Sequence, residues 1–246
     1  MNRKLSVMKK LLLAGLVLVY LQNLPAQTLE GKITYEQKVD LHRRIPETDQ
    51  QTRAMVPPTR TSKFELQFAD NQSIYKAVEE EPDMTEPPHG GGVVIRIGGA
   101  AENEYYKNFT TRKVVEKREL LQDTYLLQDS LPAFNWKLEN GETKTIAGFT
   151  CKKATGKTER GTEVIAWYAE DIPVASGPEQ FCGLPGIILA LDANKGEIVF
   201  TAVSVDKKAD RKGLKAPVQG KKVTGAEFAK IQKDLMGNGP VRIVTN

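Results

Sequence analysis

Histidine, cysteine and paired carboxylates carry much of the catalysis and metal binding in proteins, and this sequence has few of the first two. It holds two histidines, His42 and His89, and two cysteines, Cys151 and Cys182. Both histidines fall in polar, proline-containing stretches that we interpret as loops. No pair of carboxylates is marked out by its spacing, and the sequence lacks the motifs of nucleophile elbows, zinc proteases and phosphate loops. The sequence therefore predicts a protein that is not an enzyme and that needs no cofactor.

A soft-metal site is an alternative that these side chains leave open. His42, Met55, Met84 and His89 lie in two polar segments, and histidine together with methionine suits copper. Scattered loop residues are the simpler interpretation. We therefore predict no metal site and keep copper binding as the least favoured function.

The first 26 residues have the layout of a secretory signal peptide. A basic stretch precedes an apolar run over residues 11–21, and a small residue, Ala26, stands before the expected cut. This run is shorter than the ~20 residues that cross a bilayer, which disfavours an uncleaved anchor. We expect export, with residues 27–246 forming a single β-rich envelope domain that is periplasmic or associated with the outer membrane. The basic residues of the leader are Arg3, Lys4, Lys9 and Lys10.

The charge balance depends on this leader. The chain has 35 Lys and Arg against 31 Asp and Glu, a net charge of +4. Removing the four basic leader residues leaves equal numbers of each sign. A balanced mature chain predicts no binding to nucleic acid. It also has no second long apolar run, so we expect no membrane span after cleavage.

Export bears on the two cysteines, because exported proteins meet an oxidising compartment. We therefore expect a disulfide between Cys151 and Cys182. Two buried free thiols that pack as small apolar side chains are the alternative.

Alternating apolar and polar side chains predict many short strands after the leader. The first pattern, over residues 31–39, places Ile33, Tyr35, Gln37 and Val39 on one side. A capping box, Thr224 with Glu227, predicts one helix near the carboxyl end. Together these elements predict a mainly β fold, an antiparallel, curled sheet or partial barrel with one C-terminal helix. The other predicted strands cover residues 63–68, 73–78, 103–109, 112–119, 123–128, 136–138, 143–146, 149–154, 163–168, 187–192 and 197–205.

Turn residues set the expected connections between these strands. Asn140-Gly141 is typical of a tight hairpin turn, so we expect residues 136–138 to pair with residues 143–146. Residues 41–60 are polar and contain three prolines, which predicts a loop. Residues 79–92 are rich in glutamate, proline and glycine and predict a surface insertion. The apolar run at residues 93–97 fits either a strand or part of a long loop.

The most unusual stretch runs over residues 146–191. Gly177-Pro178 and residues 183–186 form two rigid corners around Phe181, because proline fixes φ and glycine permits backbone shapes closed to other residues. Trp167 and Phe181 are expected to pack beneath these corners. The simplest interpretation of the second corner is a structural turn, and a loop that binds a ligand or partner is the alternative. The candidate binding residues are Phe181, Gly183, Leu184, Pro185, Gly186 and Trp167.

This stretch resembles the GLPGLI family of exported Bacteroidetes proteins. The hexapeptide that names the family appears at residues 183–188, with Ile187 in place of its second leucine. The resemblance implies a signal peptide, an envelope location and a β-rich domain, and it brings no catalytic residues or assigned activity. The other matching features are Trp136 and residues 73–75, 146–154, 166–168 and 177–181.

Two functions follow as expectations. The first is an envelope protein that binds a lipid, lipoprotein or peptide in the concave face of its curled sheet. The second is an interaction or assembly partner of an outer-membrane transport or export system, with an exposed loop at residues 183–186.

Overall fold

The structure is a computed structural model that describes residues 29–78 and 103–236. The expected alternation forms the first strand, where Ile33, Tyr35 and Val39 are buried and Glu36 and Lys38 are exposed. The strands are β1 (Gly31–Asp40), β2 (Thr59–Ala69), β3 (Gln72–Ala77), β4 (Glu104–Asn108), β5 (Lys113–Leu120), β6 (Asp123–Ser130), β7 (Lys137–Ile146), β8 (Phe149–Lys157), β9 (Glu163–Ala169), β10 (Ile187–Ala193), β11 (Ile198–Asp206) and β12 (Lys221–Val223). The helices are α1 (Gln50–Met55) and α2 (Gly225–Met236), with a 3₁₀ turn at His42–Arg44.

All twelve strands belong to one sheet, in the order β12-β6-β5-β4-β3-β2-β1-β11-β10-β9-β8-β7. Every neighbouring pair is antiparallel except β12 with β6, which is parallel. The sheet curls, since β7 and β11 approach within 8 Å between Cα atoms although three strands separate them in the sheet. It does not close, because β12 and β7 remain at its edges. The predicted mainly β, antiparallel, curled fold with a C-terminal helix is confirmed.

One face of the sheet, here called the inner face, holds the main core. Cross-strand register places Leu66 opposite Tyr75, and Gln37 opposite Phe200. Tyr75 stacks on Phe64 with 5.1 Å between ring centroids and meets Tyr35 edge-on at 6.1 Å. Aromatic pairs of this kind add about 0.5–1.5 kcal/mol each beyond their buried area.

Helix α2 covers the inner face at β5 and β6. Its predicted capping box is formed: Thr224 N–H donates to the Glu227 carboxylate at 2.7 Å, and Glu227 N–H donates to Thr224 Oγ1 at 3.2 Å. Phe228 is buried and meets Tyr125 edge-on at 5.4 Å. The helix is therefore anchored by its first turns, and Leu235 further along is exposed.

Two predicted connections were wrong. Asn140-Gly141 does not turn the chain, because β7 runs through it as one strand with a bulge between Leu138 and Thr143. Gly141 has φ +92°, which suits such a bulge as well as a hairpin turn. Residues 41–60 are not all loop, because they contain α1 and the start of β2; the Asp49 side chain caps α1 by accepting from Thr52 N–H.

The predicted signal peptide, the insertion at residues 79–92 and the apolar run at 93–97 lie outside the described residues. No helix within residues 29–78 and 103–236 is both long and apolar enough to cross a membrane.

Candidate functional site

The connection between β9 and β10, residues 170–186, lies across the inner face and is called the crossing segment. Ser176 Oγ hydrogen-bonds to Ser73 Oγ on β3 at 2.8 Å. The buried Lys107 ammonium on β4 donates to the carbonyl oxygens of Gly177 at 2.6 Å and Phe181 at 3.2 Å. The segment is thus fixed to strands far from those that it connects.

The structure divides the predicted binding residues into three groups. Phe181, Leu184 and Gly186 are buried, whereas Gly183 and Pro185 are exposed. Trp167 is half-buried on β9, on the opposite sheet face from Gln37, with the ammonium groups of two lysines 5.9 Å from its ring centroid. The predicted set therefore does not form one surface.

Most of the second corner is structural. A Cβ atom on Gly186 would lie 2.1 Å from the Ala169 carbonyl oxygen, so only glycine fits there. Phe181 packs against Phe134 at 5.3 Å, and Trp136 Nε1 donates to the Cys182 carbonyl at 2.9 Å. Only the exposed tip of this corner can meet a partner directly.

The expected disulfide is not formed, because Cys151 and Cys182 are both free and buried. Their thiols have different neighbours: Cys151 Sγ lies 3.6 Å from the Phe149 carbonyl, and Cys182 Sγ lies 3.7 Å from the Pro132 carbonyl. The alternative interpretation, two thiols packed as small apolar side chains, describes this structure.

Glu179 in the crossing segment has an unusual backbone. Phe181 N–H donates to the Pro178 carbonyl at 3.0 Å, which closes a tight turn with Glu179 inside it. Glu179 has φ +46°, in the left-handed region that favours glycine. Such a conformation costs about 1 kcal/mol or more and persists only where the surroundings hold it in place. Here Lys107 holds both ends of the turn.

The Glu179 carboxylate points to strands of the inner face. Gln37 Nε2 donates to Glu179 Oε1 at 3.0 Å. Among the described residues no lysine or arginine forms an ion pair with this carboxylate, although the charges of Arg118 and Lys107 act on it from further away. Nearby, Arg118 is paired with Glu116, and its guanidinium lies 5.3 Å from the Phe228 ring centroid of α2.

Two tyrosines complete this group. The Tyr75 hydroxyl is buried and has no hydrogen-bond partner among the residues that the structure describes. Tyr105, half-buried beside it, has its ring centroid 6.4 Å from that of Tyr75. We call the whole set the polar cluster: Gln37, Tyr75, Tyr105, Glu116, Arg118 and Glu179.

Burial dominates the electrostatics of the polar cluster. Burial, reinforced by the Glu116 carboxylate, raises the pKa of Glu179 to about 7. Burial also lowers the pKa of Lys107 to about 8. The pKa of Tyr75 is raised well above its ordinary value by burial and then by the Glu179 carboxylate. Glu179 therefore takes up a proton more readily than an ordinary glutamate does.

The polar cluster was missed at the level of sequence, although one signal for it was present. Gln37 falls on the same side of its strand as Ile33, Tyr35 and Val39, and it is buried. A polar side chain on an otherwise apolar face needs a buried partner. That partner, Glu179, comes from a segment 142 residues away, which spacing alone cannot identify.

The described residues contain no group of three or more His, Cys, Asp or Glu side chains that could hold a metal ion. His42 Nε2 lies 2.8 Å from the Val56 carbonyl, and Met55 is exposed. Met84 and His89 lie outside the described residues.

Two solved structures of PNGF-II resemble this fold. The structure in space group C2 matches with a TM-score of 0.55 at 16% identity, covering 82% of this chain and 32% of the other. The structure in space group P21 matches with a TM-score of 0.54 at 15% identity, covering 82% and 33%. This chain spans about a third of the length of PNGF-II, and identity this low shows a shared fold only.

No curated protein matches the sequence. A family model described as "Protein of unknown function (Porph_ging)" matches residues 157–190. These residues include β9, the crossing segment and therefore Glu179. Over this short stretch the chain is similar to a family of unknown function.

Proposed function

We propose that this protein is an exported, non-catalytic binding protein of the cell envelope that takes a peptide ligand at the polar cluster. The observation that carries the proposal is Glu179, a carboxylate that forms no ion pair with the described residues and is held in a strained turn. Strained backbone and perturbed carboxylates are concentrated at functional sites. Several members of the polar cluster are only half-buried, so a ligand can reach them.

The chemistry of the inner face favours a peptide over a lipid acyl chain. Phe181 and Leu184 of the crossing segment already pack on the apolar part of this face. Within the polar cluster, the half-buried side chains are polar or aromatic: Tyr105, Glu116, Arg118 and Glu179. Peptides supply the charges and amide groups that such side chains bind.

Export is supported by the basic and apolar pattern of residues 1–26. A periplasmic or outer-membrane-associated location is part of the proposal. Binding without chemical change is supported by the shortage of nucleophile and base motifs in the sequence and by the engagement of His42 with a backbone carbonyl.

Capture of peptides tests this proposal. The protein, expressed from its full chain and immobilised, should retain members of a random hexapeptide pool, identified by mass spectrometry. Glu179→Gln should reduce the retained amount about tenfold, whereas Glu159→Gln, a change at an exposed turn, should leave it unchanged. Equal retention by the wild type and Glu179→Gln would exclude the polar cluster as the binding site.

A second candidate function is docking of an envelope protein, as expected of an assembly partner of a transport or export system. It is favoured by the exposure of Gly183 and Pro185 at the tip of a corner that is otherwise rigidly packed. Pro185→Ala should then weaken recovery of a partner from solubilised envelopes without lowering the thermal midpoint. Unchanged recovery with this variant would rule out this tip as the contact.

A further inference from the structure

We infer that the polar cluster recognises a primary ammonium group of its ligand, with the Glu179 carboxylate as the counter-ion. This inference rests on the proposed function and specifies what the site binds. It follows from three observations on the polar cluster.

The first observation is the incomplete pairing of Glu179. One carboxylate oxygen accepts a hydrogen bond from the neutral Gln37 amide, and no lysine or arginine of the described chain forms an ion pair with it. A half-buried carboxylate is stabilised strongly by a cation that arrives within hydrogen-bond distance. The two nearest cations are engaged elsewhere, since Arg118 pairs with Glu116 and Lys107 donates to two carbonyl groups.

The second observation is the Tyr75 hydroxyl, which is buried on the same part of the inner face and has no hydrogen-bond partner within residues 29–78 and 103–236. A buried hydroxyl without a partner is unfavourable, so it indicates a group that the free protein lacks. An ammonium group has three donors, enough for the Glu179 carboxylate and the Tyr75 oxygen together.

The third observation is the charge around Glu179. Glu116 opposes the ionisation of Glu179, whereas Arg118 and Lys107 favour it, and both cations are already engaged by other groups of the protein. The Glu179 carboxylate and the face of the Tyr105 ring near it attract a cation and repel an anion. An ammonium group of a ligand therefore fits this site better than a carboxylate or phosphate does.

In a peptide, the ammonium group belongs either to the amino terminus or to a lysine side chain. Four hexapeptide pools distinguish these sources: one with both amines free, one acetylated at the amino terminus, one lacking lysine, and one acetylated and lacking lysine. We expect retention of the last pool to fall at least about tenfold below the first. If the pool acetylated at the amino terminus keeps full retention, the bound amine is the lysine side chain. If the pool lacking lysine keeps full retention, the bound amine is the amino terminus.

Two variants connect this result to the site. Glu179→Gln should bind all four pools equally weakly, because an uncharged amide no longer selects a cation. Tyr75→Phe should reduce retention of amine-bearing pools several-fold, while Glu159→Gln should behave as the wild type. Equal retention of all four pools by the wild type would overturn the ammonium inference and leave peptide binding in place. Retention of none would overturn both.

Discussion

At the scale of one residue, the backbone conformation of Glu179 determines where its carboxylate lies. Its turn needs a left-handed backbone, where glycine would fit without strain, yet the residue carries a long acidic side chain. That side chain then lies half-buried beside Glu116, which opposes its ionisation. The strained turn thus brings a carboxylate to a place where its charge is disfavoured until a cation arrives.

Stability should depend on pH through this residue. The folded pKa of Glu179 is raised from 4.5 to about 7, so the folded state binds more protons than the unfolded state between these values. Glu179 therefore stabilises the fold below about pH 4.5, and this contribution is lost as pH rises through 7. We expect the free energy of unfolding of Glu179→Gln, taken relative to that of the wild type, to be about 2 kcal/mol higher at pH 8 than at pH 5. Urea unfolding of both proteins at both pH values measures this difference.

The difference in free energy of unfolding between the wild type and Glu179→Gln separates the effect of Glu179 from that of other groups that titrate in this range. Glu159→Gln, made in the same way, should follow the wild type at both pH values. If the free energies of unfolding of the wild type and Glu179→Gln differ by the same amount at pH 5 and pH 8, burial does not raise the pKa of Glu179.

At the residue scale, the sequence predicted the position of Gln37 on its strand but not its role. Gln37 was predicted on the same side of β1 as Ile33 and Tyr35, where it lies, but the sequence did not identify its hydrogen-bond partner. Lys107 is buried through contacts with carbonyl groups of the crossing segment, which depend on the tertiary fold alone. When a site is assembled from distant segments, the local sequence pattern shows only a polar residue at a position where an apolar one is expected.

The crossing segment is the element that builds the polar cluster, and its glycines have different roles. Gly186 faces the Ala169 backbone so closely that no side chain fits. Gly183 is exposed with φ +94°, and only Trp136 comes near the position of a Cβ atom there. Gly186 is required for packing, and Gly183 is required for backbone shape.

Replacing these two glycines should therefore have unequal effects. Gly186→Ala should destabilise the protein by more than about 3 kcal/mol, because the new methyl group would overlap backbone atoms that cannot easily move. Gly183→Ala should cost about 1 kcal/mol, the usual strain of a left-handed alanine. Thermal or urea unfolding of both variants measures the difference, and similar losses would contradict the packing role assigned to Gly186.

Most strands were predictable from alternation, as in β1, β2 and β4 to β6, because one covered face imposes a period of two. The exception at Asn140-Gly141 shows the limit of that approach. The same dipeptide suits a hairpin turn or a bulge, and the pairing of β7 along β8 decides between them. Helix α1 was missed because six residues are too few for a clear helical period.

At the scale of the whole molecule, noncovalent packing between strands joins the two cysteine-bearing segments. Because Cys151 and Cys182 are free, a reducing agent should leave the urea midpoint of the purified protein unchanged. A disulfide closing this loop would instead add about 3 kcal/mol. Both thiols should react with a thiol reagent only after unfolding, since both are buried. A midpoint that falls on reduction would show that the thiols join in solution.

The central position of β1 constrains when this protein can fold. Residues 31–40 pair on one side with β2, which follows soon along the chain, and on the other with β11, near residue 200. The middle of the sheet therefore stays incomplete until nearly the entire polypeptide is present, and contacts so distant in sequence form slowly. Under the proposed export, this delay would keep the chain unfolded while it crosses the membrane and would leave folding to the far side.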